Sequence, residues 1–219
     1  MPRRRSRRRS QRRFPVSWLG WLLFAAALAF QGWKEVGKIL LPPPAETTAR
    51  SGKAAKVYEV MYDASLVDDR NNDGDSFKIA YKGKVHELRL YFADCPEKRR
   101  HAYNGDRLRE QGEYFGSLSE ERTVALGQQA QAFAREWLTS RPFTVYTKWQ
   151  GVFDSGRHYA FVVFPDGEDL SAKLVREGLA RIHTSGTTLP DGRTEQAYEQ
   201  ELRGLESEAR HARRGGWAQ

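Results

Sequence analysis

The sequence predicts an α+β domain that is mainly β: a closed barrel of five strands with three packed helices, preceded by an N-terminal hydrophobic helix. Three observations point there. Short runs of alternating apolar residues recur between 57 and 92 and again between 142 and 167. Two longer stretches, 119–140 and 194–215, repeat apolar residues at helical spacing. A third stretch, "VSWLGWLLFAAALAF" at 16–30, carries no charge and follows an arginine-rich start.

Residues 1–13 form a basic arm with eight arginines. Residues 14–33 read as a transmembrane anchor or a signal sequence. Val16 to Trp33 just reaches the roughly 17 apolar residues that a bilayer core requires. Trp18, Trp21 and Trp33 suit membrane interfaces. Two readings stand side by side: an anchor that stays in the membrane, and a signal cut near Ala29 at the Ala27-Leu28-Ala29 triplet. In both, the arginines keep the N-terminus cytoplasmic and put the rest on the non-cytoplasmic side. A nucleic-acid-binding arm is the weaker reading, because the apolar run follows directly. Residues 34–55 contain three consecutive prolines and read as a linker to a domain over 56–215.

Charge follows this division. The first 54 residues hold 12 Lys/Arg against 2 Asp/Glu, and residues 55–219 hold 24 against 26. The net charge of +8 therefore belongs to the arm, so any phosphate binding by the domain must be local. A single cysteine, Cys95, excludes an internal disulfide.

Within the domain, 57–67 reads as the first strand. Two alternating runs around Lys82-Gly83 in 76–92 read as a hairpin, with Leu88, Leu90 and Phe92 on one face and Arg89 on the other. Segments 142–149 and 159–167 supply two more strands. The helix over 119–140 starts at a capping Ser119, and Leu126, Ala130, Phe133, Ala134, Trp137 and Leu138 form its apolar side. A short helix over 170–178 stops at Gly178, and a long one over 194–215 is capped by Thr194. The stretch 97–122 reads as a long, strongly charged excursion. This order suits a five-stranded OB-fold barrel with helices packed on it.

The candidate chemistry begins at "DDRNNDGDSFKIAY", residues 68–81. Asp69, Asn71, Asp73 and Gly74 match the opening of a helix–loop–helix calcium site. That motif needs a closing glutamate where Ala80 stands, and a helix where a strand follows, so the match fails. A second group is Arg89, Asp94, Cys95, Pro96 and Glu97, and a third is Gly156-Arg157. Carboxylates suit a hard cation, and guanidinium groups suit the charge that develops on a phosphodiester under attack. Each piece alone has a plainer reading: a turn, a solvent-side strand arginine, an ordinary loop, a hairpin tip. The histidines at 86, 101, 158, 183 and 211 show no metal spacing.

Taken together, "DGDSFKIAYKGKVHELRLYFADCPE", "GQQAQAF", "GRHYAF" and "LSAKLVREGLARI" resemble the staphylococcal nuclease (thermonuclease) family over about residues 57–214. The resemblance implies an OB-fold nuclease that uses Ca²⁺ to cut DNA and RNA. It implies that Asp75 and Asp94 hold the calcium, with the backbone carbonyl of Cys95 as a third ligand in place of the usual threonine's. It implies that Glu97 orients or deprotonates the attacking water, and that Arg89 and Arg157 bind the phosphate and stabilise its transition state. Asp73 is implied as a neighbour of the site.

There are departures. Asp154-Ser155 replaces a Lys-Tyr pair before the Gly-Arg turn, and Thr184–Gly186 replaces a segment with two nucleotide-packing tyrosines. The excursion puts Lys98, Arg99, Arg100, Arg107 and Arg109 forward as substitute contacts, against a solvated charged loop as the plain alternative. Arg89 and Asp94 are five residues apart and would face opposite sides of a straight strand, so a bend is expected near Ala93–Pro96. The competing class is a catalytically inactive OB-fold binding module. The presence of Asp75, Arg89, Asp94, Glu97 and Arg157 together favours the enzyme. No protein partner is inferred.

Overall fold

The computed structural model describes residues 57–218. The expected basic arm, the anchor or signal and the linker all lie outside the described residues. Among the described residues no helix is long and apolar enough to cross a membrane.

The first expected strand is split. β1 (Glu59–Met61) and β2 (Ser65–Leu66) are separated by three residues. They are followed by β3 (Ser76–Tyr81), β4 (Lys84–Leu90), β5 (Ala93–Asp94), β6 (Thr144–Gly151), β7 (His158–Val163) and β8 (Arg181–Ile182). Among the described residues there are four α-helices, α1 (Gly105–Tyr114), α2 (Glu120–Ser140), α3 (Leu170–Arg176) and α4 (Glu195–His211), and a 3-10 turn at Gly215–Trp217. The result is a mixed α+β domain with a six-stranded sheet in the order β1-β6-β7-β4-β3-β2, and a separate β5-β8 pair.

This differs from the five-stranded closed barrel with three helices in two respects. Among the described residues, no strand pair joins the two ends of the sheet order. Instead β1 pairs with β6 at one end and β2 pairs with β3 at the other, so one run of chain serves both edges across a three-residue bend. The extra helix is α1, which forms inside the excursion.

Local chemistry explains the elements that position the site. Lys82 and Gly83 both take positive φ, 48° and 75°, which a two-residue hairpin turn of the primed type needs. That turn fixes the β3–β4 register from Tyr81↔Lys84 through to Ser76↔Arg89. β4 then runs parallel to β7, with Arg89 opposite Tyr159. In α2, Ser119 caps the N-terminus by accepting from the Arg122 backbone, and Leu126, Ala130, Ala134 and Leu138 form the buried stripe. Phe133 and Trp137 pack half-buried beside it. Asp169 caps α3 through the N–H groups of Ser171 and Ala172, and Thr194 caps α4. The core lies between the sheet and α2, α3 and α4, with Phe77, Leu88, Leu90, Phe161, Tyr198 and Leu202 among its buried residues.

Candidate active site

Three chain segments meet in one place. Asp75 directly precedes β3, Arg89 lies near the end of β4, and the β3–β4 register brings them side by side. The Leu90 N–H donates to the Asp75 carbonyl at 2.8 Å, which locks that alignment. Arg89 Nη2 then reaches Asp75 Oδ2 at 3.3 Å and Asp94 Oδ1 at 2.5 Å. Arg89 is 8% exposed, so it is not a solvent-side strand residue. Burial works against its charge, but Asp75, Asp94 and Asp73 hold the guanidinium firmly protonated.

The expected bend is present, one residue before the expected segment. Phe92 has φ +64°, a left-handed conformation that a bulky residue rarely adopts, and the chain reverses there between β4 and β5. Backbone bonds fix both sides of it: Phe92 N–H donates to Ser185, and its carbonyl accepts from His183. Its ring is buried against Phe161 and Tyr198. β5 then pairs with β8 so that Asp94 stands opposite Arg181.

Ser76 ties the arginines together. Its hydroxyl lies 3.1 Å from Asp75 Oδ1 and receives Arg89 Nη1 at 3.3 Å and Arg157 Nη1 at 3.2 Å. Arg157 comes from the hairpin before β7, where its Nε also donates to Ser155. Arg89, Asp94, Arg107, Phe153, Arg157 and His183 are among the residues around a cleft of about 590 Å³. Phe153 is 94% exposed there.

The excursion contributes more than loop contacts. From α1, Arg107 Nη2 donates to Asp94 Oδ1 at 2.7 Å, and its Nε lies 2.7 Å from Glu97 Oε1. Gln111, one helical turn on, is fully buried. Its side-chain NH₂ donates to Asp94 Oδ2 at 3.1 Å and to the Cys95 carbonyl at 3.0 Å, while its oxygen accepts from Glu97 N–H at 3.0 Å. From β8, Arg181 Nε donates to Asp94 Oδ2 at 2.6 Å. Burial opposes the Asp94 carboxylate, but Arg89, Arg107 and Arg181 outweigh it and lower its pKa to about 2.

Of the five basic residues put forward from the excursion, Arg107 reaches Asp94, while Gln111, Arg181 and Ser76 are site residues that the sequence does not single out. Arg107 and Gln111 share one face at i, i+4, and Leu108 and Phe115 are an apolar pair seven apart; that spacing was the available signal for a helix. Of the other basic residues of the excursion, Lys98 donates to the Arg70 carbonyl at 2.9 Å and Arg99 bonds Asn71 at 3.0 Å. Arg100 pairs with Glu120 and Arg109 with Asp106.

The "DDRNNDGD" stretch is a set of turns. Asp69 accepts from Asn71 N–H and pairs with Lys78. The Asn72 amide donates to the Val67 carbonyl and accepts from Lys78 N–H. Asp73 accepts from Ser76 N–H at 2.8 Å, and burial beside Asp75 pushes its carboxyl well above the usual range. Gly74 is required by packing: a Cβ there would meet Cys95 Sγ at 2.6 Å. Burial pushes the Cys95 thiol up, with Asp75, Asp73 and Asp94 adding to it, so this sulfur is no thiolate nucleophile.

The model of the staphylococcal nuclease homologue family matches residues 87–219. The chain belongs to this family. The match includes Arg89, Asp94, Cys95, Glu97 and Arg157, and begins after Asp75. In this staphylococcal nuclease homologue, no group of three or more His, Cys, Asp or Glu side chains among the described residues is arranged to hold a metal. A site would need the backbone as well. Asp75, Asp94 and the Cys95 carbonyl are all hard oxygen donors of the kind that Ca²⁺ takes. The Arg89 guanidinium bridges the two carboxylates. The donor chemistry fits.

Proposed function

We propose that this member of the family is a calcium-dependent nuclease that hydrolyses phosphodiester bonds of DNA and RNA. One observation carries the reading: Asp75, Arg89, Asp94, Glu97 and Arg157, drawn from three separated segments, are linked through Ser76 and Arg107, and Arg89, Asp94 and Arg157 line one cleft.

Asp75, Asp94 and the Cys95 carbonyl would hold the cation. Calcium bound there supplies a Lewis acid for the phosphate. Glu97, partly exposed and next to Asp94 through Arg107, takes the role of orienting a water and accepting its proton. Arg89 and Arg157 approach the same point from β4 and the β6–β7 hairpin, and both offer N–H groups to phosphate oxygens as charge builds on them. Phe153 at the cleft rim offers an apolar face to a nucleobase, where the segment with tyrosines is replaced.

The eight arginines ahead of the uncharged 16–30 run support a membrane-anchored protein with the nuclease domain on the non-cytoplasmic side. Secretion after signal cleavage near Ala29 is the alternative. Protease accessibility on intact cells, with a tag at the C-terminus, separates an exported from a cytoplasmic domain.

The test of the activity uses the full chain with plasmid DNA and with RNA. Cleavage is expected with calcium, and it stops with a chelator and in Arg157→Ala. Binding without cleavage at any calcium concentration overturns the enzyme reading in favour of an inactive binding module.

A further inference from the structure

Asp94 has no acceptor capacity to spare. An ionised carboxylate offers about four lone-pair sites. Oδ1 receives Arg89 at 2.5 Å and Arg107 at 2.7 Å, and Oδ2 receives Arg181 at 2.6 Å and Gln111 at 3.1 Å. A divalent cation that used Asp94 would have to displace one of these four.

The four are not equally replaceable. Gln111 is fully buried and also holds the Cys95 carbonyl and the Glu97 N–H. Arg181 has a side chain only 5% exposed and a second partner in Glu110. Arg89 has a side chain 10% exposed and reaches Asp75 and Ser76 as well. Arg107 has a side chain 41% exposed. Its other contact, Nε to Glu97 Oε1, is close at 2.7 Å but not aligned as a hydrogen bond. Arg107 also borders the cleft, so its guanidinium can leave Asp94 for solvent without moving α1.

We propose that Arg107 is a tethered counter-ion of Asp94 that a divalent cation displaces, so that the chain closes its own metal site until the metal competes for it. The inference rests on the calcium reading of Asp75 and Asp94. The contact stabilises the empty site by neutralising Asp94 and Glu97. The same contact weakens cation binding, because every metal ion bound must first break it. Losing a partly exposed ion pair of this kind corresponds to a change of about fivefold in affinity.

The experiment is a calcium titration by calorimetry on the full chain in detergent, without substrate. It compares wild type with Arg107→Gln, Arg109→Gln and Asp94→Asn. Arg109 lies on the same helix and pairs only with the exposed Asp106, so it controls for charge lost near the site. The expected result is calcium binding about fivefold tighter in Arg107→Gln, no change in Arg109→Gln, and loss of binding in Asp94→Asn. Unfolding transitions of each variant, followed by circular dichroism, confirm that the folded state is being titrated. If Asp94→Asn removes binding while Arg107→Gln binds as wild type or more weakly, the counter-ion proposal falls and the calcium reading stands. If neither wild type nor Arg107→Gln binds calcium through Asp94, both fall. A rise in Arg109→Gln equal to that in Arg107→Gln also overturns the proposal, because it reduces the effect to general electrostatics.

Discussion

Gly127→Ala tests how α2 positions Glu97. Gly127 lies within α2, where helix propensity alone favours alanine by about 1 kcal/mol. The surroundings oppose it. A methyl built on Gly127 would lie 2.4 Å from the Pro96 carbonyl oxygen and 2.6 Å from the carbonyl carbon and oxygen of Glu97. Ordinary contact begins near 3.4 Å, so helix and loop must separate by about 1 Å. The obstructing atoms are backbone and have no rotamer to escape into. Overpacking of this kind typically costs about 1–3 kcal/mol, and after the propensity gain a net loss of about 0–2 kcal/mol remains. The displaced segment carries Glu97, and a misplacement of about 1 Å near the chemistry can cost about 100-fold in rate. Urea unfolding gives the stability and plasmid cleavage under saturating calcium gives the rate. A variant that is more stable than wild type and cuts at the wild-type rate refutes this account of why a glycine stands in the "GQQAQAF" segment.

Three further outcomes are expected. Gln111→Leu removes a buried amide from Asp94, the Cys95 carbonyl and the Glu97 N–H, and should cost about 2–3 kcal/mol in urea unfolding because those groups stay buried without it; a loss below 0.5 kcal/mol contradicts that role. The Asp94 carboxyl, lowered to about 2 from 3.8, should titrate well below its ordinary value by carboxyl ¹³C NMR. Its ion pairs contribute stability of about 2 kcal/mol that is present above the unfolded value and lost as pH falls toward 2; a midpoint at or above 4 contradicts the cluster of three arginines. Phe153→Ala should raise KM for single-stranded substrate about tenfold with kcat nearly unchanged, since stacking on one base is worth about 1–3 kcal/mol; an unchanged KM removes Phe153 from the substrate site.

The expected hairpin turn, the caps at Ser119 and Thr194 and the apolar stripes of α2 and α4 are all present in the fold, because each is set by residues adjacent in sequence. The split first strand is different in kind. Its halves pair with β6 and β3, and only those distant partners decide where it breaks. β5 and β8 have two residues each, too few to show any period. α1 is faint in the sequence because its buried face is Leu108, Gln111 and Gly112, so a polar residue and a glycine fill places where apolar side chains would announce a helix. The site shows the same division. The six residues that the resemblance implies do lie together. The excursion offers Arg107 among five basic candidates, but that it is the one to reach Asp94, and that Gln111 and Arg181 join it, depends on how the excursion and the β5–β8 pair fold back. Phe92 is the hinge of that arrangement, and its left-handed backbone is imposed by neighbours more than 60 residues away at Phe161, His183, Ser185 and Tyr198.

The most direct test of the central claim is the rate of plasmid and RNA cleavage by the full chain against its Glu97→Gln variant, at matched calcium and with both proteins shown to be folded. Metal-dependent cleavage by the wild type, abolished by a chelator and reduced at least 100-fold in Glu97→Gln, is the predicted result, since the change removes the carboxylate expected to take the proton while leaving the cleft intact. Equal cleavage by the two proteins, or cleavage by neither with nucleic acid still bound, contradicts it.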